Sequence, residues 1–535
     1  MSAFLIVVYT ICGIYMVLNF KHDIHMLQQN SYRLPRYWKY LKQDIGSTWR
    51  LADVAMLFLV FSTLLDIRLA ILIVVIVCVT KIWLIFKKKY KKPLVFTKRV
   101  WRIYSTTAFL GIAAYLAVII CKTLSPFDWG GYPDPAIIVG TLLFITIFSW
   151  AFVMLAVVIL MPVEHMINKK YWNEAASILK SMPNLIVIGI TGSYGKTSTK
   201  HYLERILSED YDVLMTPGSY NTPMGVIRTI REMMKPYHSI FICEMGAKQK
   251  GDIKEICDLV HPEMGIITAV GPMHLESFKT IENVQSTKFE LIDALPEVGF
   301  AVINNDFEYC ANRPVDNVIH VERYCVGERM AKDSKYVAEN IKYSPSGTSF
   351  TIKGPDGYSL DLTTRLVGEC NISNLVAAVI IAIQFRMEDE DIRRAVASIE
   401  QVEHRLSIKQ TPGGVTIIDD AFNSNPSGSK MALDVLSGFK DGKRIIVTPG
   451  MIELGDQQAE LNEKFGEEIA KSCDVAIIVG QYNRDSIVAG IKKQNFPEEK
   501  LHIVGSFAEA QQVLSTMLAA GDTVLYENDL PDTFK

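Results

Sequence analysis

The sequence predicts an α-helical membrane bundle followed by two α/β domains, and three observations lead to this prediction. Long apolar runs dominate the first 162 residues, whereas the remainder mixes apolar and charged residues as soluble domains do. A β-branched run, a glycine loop and a helical pattern follow one another over 185–207. Short apolar runs alternate with helical patterns over 403–535, which is typical of a doubly wound parallel sheet. Since 535 residues exceed one hydrophobic core, we divide the chain at 1–163, 164–402 and 403–535.

The composition argues against three features: a nucleic-acid partner, a disulfide framework and a zinc site. The formal net charge of −3 leaves no basic excess to displace counterions from a phosphate backbone, so we do not expect nucleic acid as a partner. The nine cysteines are scattered, odd in number and never spaced as C-x-x-C. This pattern argues against a disulfide framework and a zinc site, and it suits a reducing cytosol.

Apolar stretches predict about five transmembrane helices, because crossing a hydrocarbon core of about 30 Å takes roughly 20 residues. They run approximately over 3–20, 51–66, 69–86, 105–124 and 136–162. The first lacks the basic leading region and cleavage site of a signal peptide, so we interpret it as a retained helix. We interpret Asp66 and Arg68, between the second and third stretches, as interface residues rather than an ion pathway.

Lysine and arginine set the predicted orientation, because short cytoplasmic loops are enriched in them. Six basic residues lie over 21–50 and eight over 87–102, whereas 125–135 contains none. Five crossings then place the N-terminus outside and the chain from about residue 163 in the cytoplasm, where ATP is available. The bundle is an anchor, or it also holds a lipid-linked substrate.

Residues 185–199, LIVIGITGSYGKTST, carry a phosphate-loop pattern. A strand, a glycine loop and a helix in that order let backbone N–H groups converge on an anion. The strict spacing G-x-x-x-x-G-K-[ST] fails by one position, and T-G-x-x-G-K-T is present instead. We expect Lys196 to reach the β- and γ-phosphates of ATP and Thr197 to hold Mg²⁺. The alternative is a glycine turn before a helix with a surface lysine.

This loop resembles the phosphate loop of the Mur ligases, which add amino acids or dipeptides to bacterial peptidoglycan precursors. Later segments agree with that family in order, namely ICEMG (242–246), GPMHLESF (271–278), STKFELIDAL (286–295), GECNISNLVAA (368–378), EHRL (403–406), DDAFNSNP (419–426) and PGMIELGDQ (449–457). The last two resemble the MurF branch, which adds D-alanyl-D-alanine. The resemblance covers roughly 185–480. It implies an ATP-dependent amide ligase with a central P-loop ATPase domain and a Rossmann-like C-terminal domain. Together with the apolar stretches and the basic loops, this predicts an enzyme of the bacterial inner membrane whose catalytic domains face the cytoplasm.

The resemblance also implies the members of the site. Those expected to hold ATP are Thr191, Gly192, Ser193, Gly195, Lys196, Thr197, Ser198, Asn371, Asn374, Arg405 and Asp420. Those expected to hold magnesium, as two ions, are Thr197, Glu244, His274 and, if carbamylated, Lys288. The implied catalytic groups are Lys196, His274, Lys288 and Arg405, and the implied substrate contacts are Asn221, Thr222, Asn423 and Asn425.

Several of these roles have a competing structural interpretation. Glu244 is a magnesium ligand or a carboxylate that caps a strand. His274 binds a cation or is structural, and Lys288 is carbamylated or is a solvated helix lysine. Asn371 meets the adenine or caps its helix, and Asp420 holds the ribose or forms a turn. By the resemblance, Arg405 closes onto the γ-phosphate.

Three departures from the MurF pattern concern the substrate. Membrane stretches occupy the place of the domain that grips the UDP-sugar precursor, Asn221 and Thr222 stand where paired asparagines are common, and the C-terminal end lacks the K-G-S segment. Our hypothesis is that the acceptor carboxylate belongs to a membrane-associated, lipid-linked glycan or peptide, and that the amine comes from an amino acid or dipeptide. Two alternatives stay open: the authentic MurF reaction on the UDP-linked tripeptide, and a non-catalytic nucleotide-sensing scaffold.

Overall fold

The structure is a computed structural model that describes residues 3–43, 51–62, 66–88, 90, 92–124, 134–327, 333–344, 347–422 and 424–530. Contacts between Cα atoms divide the chain into two compact units, Met1–Ile167 and Asn168–Leu530. The first unit is helical, and the second contains two β-sheets with helices packed on them. The predicted fold class, a helical bundle followed by two α/β parts, is confirmed.

The helices of the first unit present large apolar side chains to the outside. Phe58, Leu84, Phe109 and Leu124 are all more than half exposed, as expected of a surface that faces lipid. The helices are α1 (Ala3–Gln29), α2 (Leu34–Gln43), α3 (Leu51–Phe61), α4 (Ile67–Lys87), α5 (Lys98–Leu124), α6 (Asp134–Ile147) and α7 (Ser149–Lys180), of which the last ends in the second unit. Among the described residues, four helices are long and apolar enough to cross a membrane: α1, α4, α5 and α7.

The helices differ from the predicted spans in two places. Of the stretch 51–66, residues 51–61 form α3, which reaches about 16 Å, and residues 63–65 lie outside the described residues. The stretch 136–162 is covered by α6 and α7, which are separated at Phe148. Apolar composition measures neither the length of a helix nor a break within it. Most of the predicted outside loop, 125–133, lies outside the described residues.

A charged pair lies among the helices of this unit, where the sequence analysis had singled out only Asp66 and Arg68. The carboxylate of Asp53 on α3 is fully buried and lies 2.7 Å from the ammonium of Lys81 on α4. The hydroxyl of Tyr15 on α1 donates to the same carboxylate at 3.0 Å. The pair therefore links three helices. Asp66 caps α4 by accepting from the backbone N–H of Arg68 at 2.8 Å.

The first sheet of the second unit has the strand order β2-β3-β1-β4-β5-β6-β7-β8-β9, parallel up to β7 and antiparallel beyond it. Its strands are β1 (Ile186–Thr191), β2 (Val213–Met215), β3 (Ile240–Glu244), β4 (Met264–Ile267), β5 (Phe300–Asn304), β6 (His320–Val326), β7 (Tyr336–Ser344), β8 (Gly347–Lys353) and β9 (Ser359–Thr364). Its helices are α8 (Lys196–Leu207), α9 (Pro223–Met233), α10 (Asp252–Val260), α11 (Leu275–Phe278), α12 (Ile281–Asp293), α13 (Glu308–Ala311), α14 (Glu369–Gln384) and α15 (Asp389–Ser398). All five residues of β3 are buried, as in parallel sheets covered on both faces.

The second sheet has the order β10-β11-β15-β12-β13-β14, in which only β10 and β11 pair antiparallel. Its elements are β10 (Ser407–Gln410), β11 (Thr416–Asp420), α16 (Pro426–Ser437), β12 (Arg444–Thr448), α17 (Gln458–Ser472), β13 (Val475–Val479), α18 (Arg484–Lys493), β14 (Leu501–Val504), α19 (Phe507–Met517) and β15 (Thr523–Glu527). The alternation predicted from the sequence is therefore confirmed. The edge strand β10 was not predicted.

Strand order determines where side chains can meet. Since β1 lies between β3 and β4, the segments that follow these three parallel strands leave the same edge of the first sheet. In the second sheet, β11 and β15 are neighbours and end at the same edge in the same way. Ligands of α/β proteins bind at such carboxyl edges.

Candidate active site

The loop between β1 and α8 has the conformation that a phosphate loop needs. Gly192 has a φ of 154° and Gly195 a φ of 78°, both in the region that favours glycine. A Cβ atom on Gly192 would lie 2.1 Å from the hydroxyl oxygen of Thr268, and one on Gly195 would lie 2.2 Å from Oδ1 of Asn374. Both glycines are therefore required by conformation and by space.

The serine and threonine side chains around this loop are mostly engaged within the protein. The hydroxyl of Thr191 donates to the carbonyl of Met245 at 2.9 Å, and that of Ser193 lies 3.1 Å from the backbone N–H and from the carbonyl of Gly271. Ser198 is buried on α8. The hydroxyls of Thr191 and Ser193 therefore hold the loop in place.

Lys196 folds back over the loop. Its ammonium donates to the carbonyl of Gly192 at 2.6 Å. Burial lowers the pKa of Lys196 to about 8; Glu244 opposes this shift and Arg405 adds to it. Among the described residues, the hydrogen-bond partners of this ammonium are backbone carbonyls of the loop and not carboxylates, so Lys196 is well placed to bind an anion.

Glu244, the last residue of β3, is the centre of a buried polar cluster. Its Oε1 accepts from the hydroxyl of Thr197 at 3.2 Å and from the side-chain amide of Asn221 at 3.0 Å. Its Oε2 lies 2.9 Å from the ammonium of Lys200, and both side chains are 1% exposed or less. Burial by itself raises the pKa of Glu244, but Lys200, Lys196 and Asn221 outweigh it and hold the pKa below its usual value. The carboxylate is therefore ionised.

Sequence reasoning missed Lys200. Lys200 follows Lys196 by four residues in KTSTK, so the two lysines lie about one turn apart on the same face of the helix. The four-residue spacing could have indicated that Lys200 lies near Lys196, but the pairing of Lys200 with Glu244 depends on β3 lying beside α8. Lys200 also donates to the carbonyl of Gly218 at 2.6 Å.

Lys288 and His274 lie on neighbouring segments of the first sheet. Lys288, on α12, is 3% exposed, and burial, together with the charge of Lys196, lowers its pKa well below the usual value. It is not the solvated lysine of the alternative interpretation. His274 precedes α11 with a φ of 55°, and its Nδ1 bonds to the carboxylate of Glu453 from the second sheet. Burial lowers the pKa of His274, with Glu453 opposing.

The structure brings Thr197 and Glu244 together, but it does not gather the whole predicted metal set. Among the described residues, no group of three or more histidine, cysteine, aspartate or glutamate side chains could hold a metal ion. The charge of Lys288 contributes to the lowered pKa of His274, and the charge of Glu244 acts against the lowered pKa of Lys288. The site therefore has one compact oxygen pair, with His274 and Lys288 in its surroundings.

Arg405 and Asp420 lie at the start of the second sheet. The guanidinium of Arg405 stacks 4.1 Å from the ring centre of Phe422. Asp420, the last residue of β11, accepts from the backbone N–H of Leu406 at 3.1 Å. Burial raises its pKa to about 6, against the opposing charge of Arg405. Asp420 is thus the last residue of a strand and is partly buried.

Glu527 is a second buried carboxyl that the sequence did not reveal. It pairs in register with Asp420 across β11 and β15, and it accepts from the hydroxyls of Ser424 at 2.7 Å and Ser429 at 2.9 Å. Burial and the neighbouring Asp420 raise the pKa of Glu527 well above its usual value. The two carboxyls are therefore neighbours across the two strands, and the hydrogen bonds of Glu527 hold the turn that precedes α16.

Asn371 and Asn374, both on α14, contact α8 and the phosphate loop respectively. The carboxamide of Asn371 accepts from the hydroxyl of Tyr202 and donates to the carbonyl of Val367, each at 2.8 Å. Gly368 occupies the N-cap position of α14, so the interpretation of Asn371 as the helix cap is wrong. Asn374 is buried against Gly195.

A cavity of about 670 Å³ opens beside α8. Its lining includes Thr197, His201 and Tyr202 from α8, together with Arg405 and Phe422. Neither Asn371 nor Asn374 lines it, and Tyr202 connects the cavity to Asn371. The volume is in the range of small-molecule sites.

The predicted substrate contacts have local partners. Asn221 bonds to Glu244, as described above. Thr222 caps α9 by accepting from the backbone N–H of Gly225, and Asn425 caps α16 by accepting from that of Gly428. Asn423 lies outside the described residues. Thr222 and Asn425 thus have structural roles that the sequence analysis did not assign to them.

Comparison with known proteins identifies both sheets. The family model described as the Mur ligase middle domain matches residues 190–382, and the model described as the Mur ligase glutamate ligase domain matches residues 404–526. The matches begin and end near the limits of the two sheets.

Relatives and solved structures agree with these matches. The UDP-N-acetylmuramoyl-tripeptide–D-alanyl-D-alanine ligase of Bacillus subtilis is 27% identical over 344 residues, covering 64% of this chain and 72% of that protein. The corresponding ligase of Escherichia coli is 29% identical over 352 residues, covering 65% and 77%. The crystal structure of MurF from Acinetobacter baumannii superposes with a TM-score of 0.61 at 25% identity, covering 68% of this chain and 77% of that one.

Proposed function

This chain belongs to the Mur ligase family of ATP-dependent acid–amino-acid ligases, and we propose that it works as a membrane-anchored ligase on a membrane-associated acceptor. ATP phosphorylates the acceptor carboxylate, and the amine of an amino acid or dipeptide then displaces phosphate to form an amide. The observation that carries the proposal is the glycine loop before α8, which lies beside the ionised Glu244. In the part of the chain that the structure describes, four helices are also long and apolar enough to span a membrane.

We place the triphosphate of ATP over the loop between Gly192 and Gly195. Lys196 would exchange its hydrogen bond to the Gly192 carbonyl for the β- and γ-phosphates. The adjacent cavity, with Arg405 and Phe422 in its wall, would take the rest of the nucleotide. In this arrangement Asp420 serves the ribose, and Asn371 acts on the nucleotide side through Tyr202.

The residues fit magnesium where Glu244 and Thr197 meet. An ionised carboxylate and a hydroxyl are hard oxygen donors, and Mg²⁺ completes its shell with water and phosphate oxygens. When bound, the ion draws charge from the transferring phosphate. Lys288 supports a second ion in this proposal, because burial lowers the pKa of its amine and so favours the uncharged form, which is the form that adds carbon dioxide to give a carbamate and a proton.

The chain's own residues orient the reacting groups. Lys196 and Arg405 approach the phosphates from the two sheets, and a planar guanidinium suits the equatorial oxygens of a transferring phosphoryl group. His274 stands at the acceptor side, with one ring nitrogen held by Glu453. Asn221 holds Glu244 in place, so a substitution in this asparagine would act through the carboxylate.

The helical unit supports the acceptor class that we propose. In the order of the sequence, it takes the place of the N-terminal domain with which MurF enzymes bind a soluble UDP-sugar. Its exposed apolar side chains suit contact with lipid. An acceptor retained in the same membrane is delivered by lateral diffusion. We propose the bacterial inner membrane, with the N-terminus outside and the catalytic unit in the cytoplasm.

The proposed orientation requires a crossing through α3. Basic residues follow α1 and flank the connection from α4 to α5. Both groups lie on one side only if the chain crosses twice between them, once in the part that contains α3 and once through α4. Reaction of single introduced cysteines with an impermeant thiol reagent, on each side of the membrane, tests this.

A second candidate is the MurF reaction itself, joining D-alanyl-D-alanine to the UDP-linked tripeptide. The observation that favours it is that the relatives from Bacillus subtilis and Escherichia coli both carry that name. In this case the helices only anchor the enzyme.

Product analysis decides between the candidates. The full chain, reconstituted in lipid nanodiscs, is given ATP, D-alanyl-D-alanine and either the UDP-linked tripeptide or a lipid extract containing the lipid-linked precursor. We expect amide formation, seen by mass spectrometry, with the lipid-linked acceptor. Prompt turnover of the UDP-linked tripeptide alone would overturn the proposed acceptor class.

Two variants test whether the site is catalytic. Lys196→Ala and Glu244→Ala should abolish amide formation, whereas Lys254→Ala, on the exposed face of α10, should leave it unchanged. Nucleotide binding by the wild type without amide formation from any acceptor would favour the scaffold interpretation.

A further inference from the structure

The segment between β12 and α17 reaches the first sheet at His274. The carboxylate of Glu453 accepts a hydrogen bond from Nδ1 of His274. Two residues further, the backbone N–H of Glu276 donates to the carbonyl of Glu453 at 3.3 Å. A Cβ atom on Gly455 would lie only 3.2 Å from the backbone of Leu275 and Glu276. Backbone and side chain of this segment therefore both meet the segment that carries the histidine.

This segment is held rigidly by carboxamide side chains. The backbone N–H of Met451 donates to Asn462 at 2.9 Å, and the carbonyl of Met451 accepts from Asn483 at 2.9 Å. The backbone N–H of Leu454 donates to Gln458 at 3.1 Å. Glu453, between these anchored residues, is thus directed by its own domain and not by the histidine alone.

Both partners have unusual backbones. Glu453 has a φ of 62° and His274 a φ of 55°, values that residues other than glycine rarely adopt. Such conformations persist where the surroundings impose them, and they cluster at functional sites. The two meet at a sequence separation of 179 residues.

The hydrogen bond to Glu453 determines which ring nitrogen of His274 carries the proton. An ionised carboxylate can only accept a hydrogen bond, so Nδ1 carries the proton and the lone pair lies on Nε2. The second oxygen of Glu453 lies 3.9 Å from the ammonium of Lys248, which favours the ionised carboxylate. Histidines that bind metal ions commonly have their other nitrogen held in this way.

We propose that Glu453 is a positioning residue of the ligase: supplied by the C-terminal domain, it holds the His274 ring so that Nε2 is presented to a divalent cation only when the two domains are together. The inference rests on the proposed function, because it takes the cation as part of the ATP site. It makes cation binding at His274 a consequence of domain closure.

The test uses Mn²⁺ as a probe, with the full chain in detergent and a non-hydrolysable ATP analogue. Spin-echo modulation from a directly bound ¹⁴N reports the histidine ligand, and free Mn²⁺ measured by electron paramagnetic resonance gives the affinity. Glu453→Ala should weaken one Mn²⁺ by about 10- to 100-fold and remove the nitrogen signal. Glu453→Gln keeps an acceptor for Nδ1 and should retain the signal. Asp456→Asn, an exposed acid on the same segment, removes equal charge and should behave as the wild type.

The Mn²⁺ measurements distinguish the role of Glu453 from the proposed function itself. Loss of the nitrogen signal in Glu453→Ala and in His274→Ala, with unchanged melting temperatures, supports the proposal. Nitrogen ligation that survives in Glu453→Ala overturns it, as does a wild type that binds Mn²⁺ with nucleotide but shows no nitrogen. A wild type that binds neither nucleotide nor Mn²⁺ refutes the proposed function itself.

Discussion

Replacing Lys200 by methionine tests the electrostatic design of the site. The substitution keeps most of the apolar side chain and removes the cation 2.9 Å from Glu244. Since both groups are 1% exposed or less, water cannot take the place of the lost ammonium. Removing one member of a buried ion pair typically costs about 3–5 kcal/mol. Hydrogen bonds from Thr197 and Asn221 remain on the carboxylate, so we expect the lower end, about 3 kcal/mol.

The assay is a urea titration of the full chain in detergent, followed by pulse proteolysis of the second unit. Lys254→Met is the matched control, because Lys254 pairs with Asp258 at 2.7 Å but both side chains are more than half exposed. Exposed pairs contribute less than about 1 kcal/mol. Adding Glu244→Gln to Lys200→Met should restore most of the lost stability.

The pH dependence gives a second test of the same pair. The folded pKa of Glu244 lies below its usual 4.5, so the stability it contributes is present above that pH and is lost as the pH falls through the folded pKa. The difference between wild type and Lys200→Met should therefore shrink in acid. If Lys200→Met and Lys254→Met have equally small effects at pH 7, the buried pair does not stabilise the site as we argue.

Three further outcomes follow from the structure. Arg405→Lys keeps the charge but loses the planar guanidinium stacked on Phe422, so kcat in the amide-forming assay should fall by roughly 100-fold while nucleotide binding, measured by calorimetry, changes less. Asp420 has a raised pKa of about 6, so its folded form holds a proton that the unfolded chain has released, and its contribution to stability falls as the pH rises through 6. Asp420→Asn should therefore raise the free energy of unfolding at pH 8 by about 1 kcal/mol, measured by urea titration. The same substitution should weaken ATP binding. Asp53→Asn leaves Lys81 without its carboxylate among the helices, so the melting temperature of the helical unit in detergent should fall, and Lys81→Gln in the same chain should restore part of it.

Sequence patterns predicted the features that depend on neighbouring residues. The strand, glycine loop and helix around Lys196 follow from residues within about twenty positions of one another, because helix and strand periods are local properties. The alternation of the second sheet was visible for the same reason. The length of α3 and the break at Phe148 were not visible, because hydropathy does not register where a helix ends.

The sequence by itself determined that this chain has apolar helices, a phosphate loop and two α/β domains of a Mur ligase. Only the tertiary structure decided that Lys200 neutralises Glu244, that Glu527 lies beside Asp420 and that Glu453 holds His274. Apart from Lys200, each of these partners is more than a hundred residues from its group. Strand order brings Lys200 to Glu244 and Glu527 to Asp420, and the contact between the two sheets brings Glu453 to His274. A buried charge or ring nitrogen must find a partner, but its local sequence does not say which distant residue the fold will bring to it.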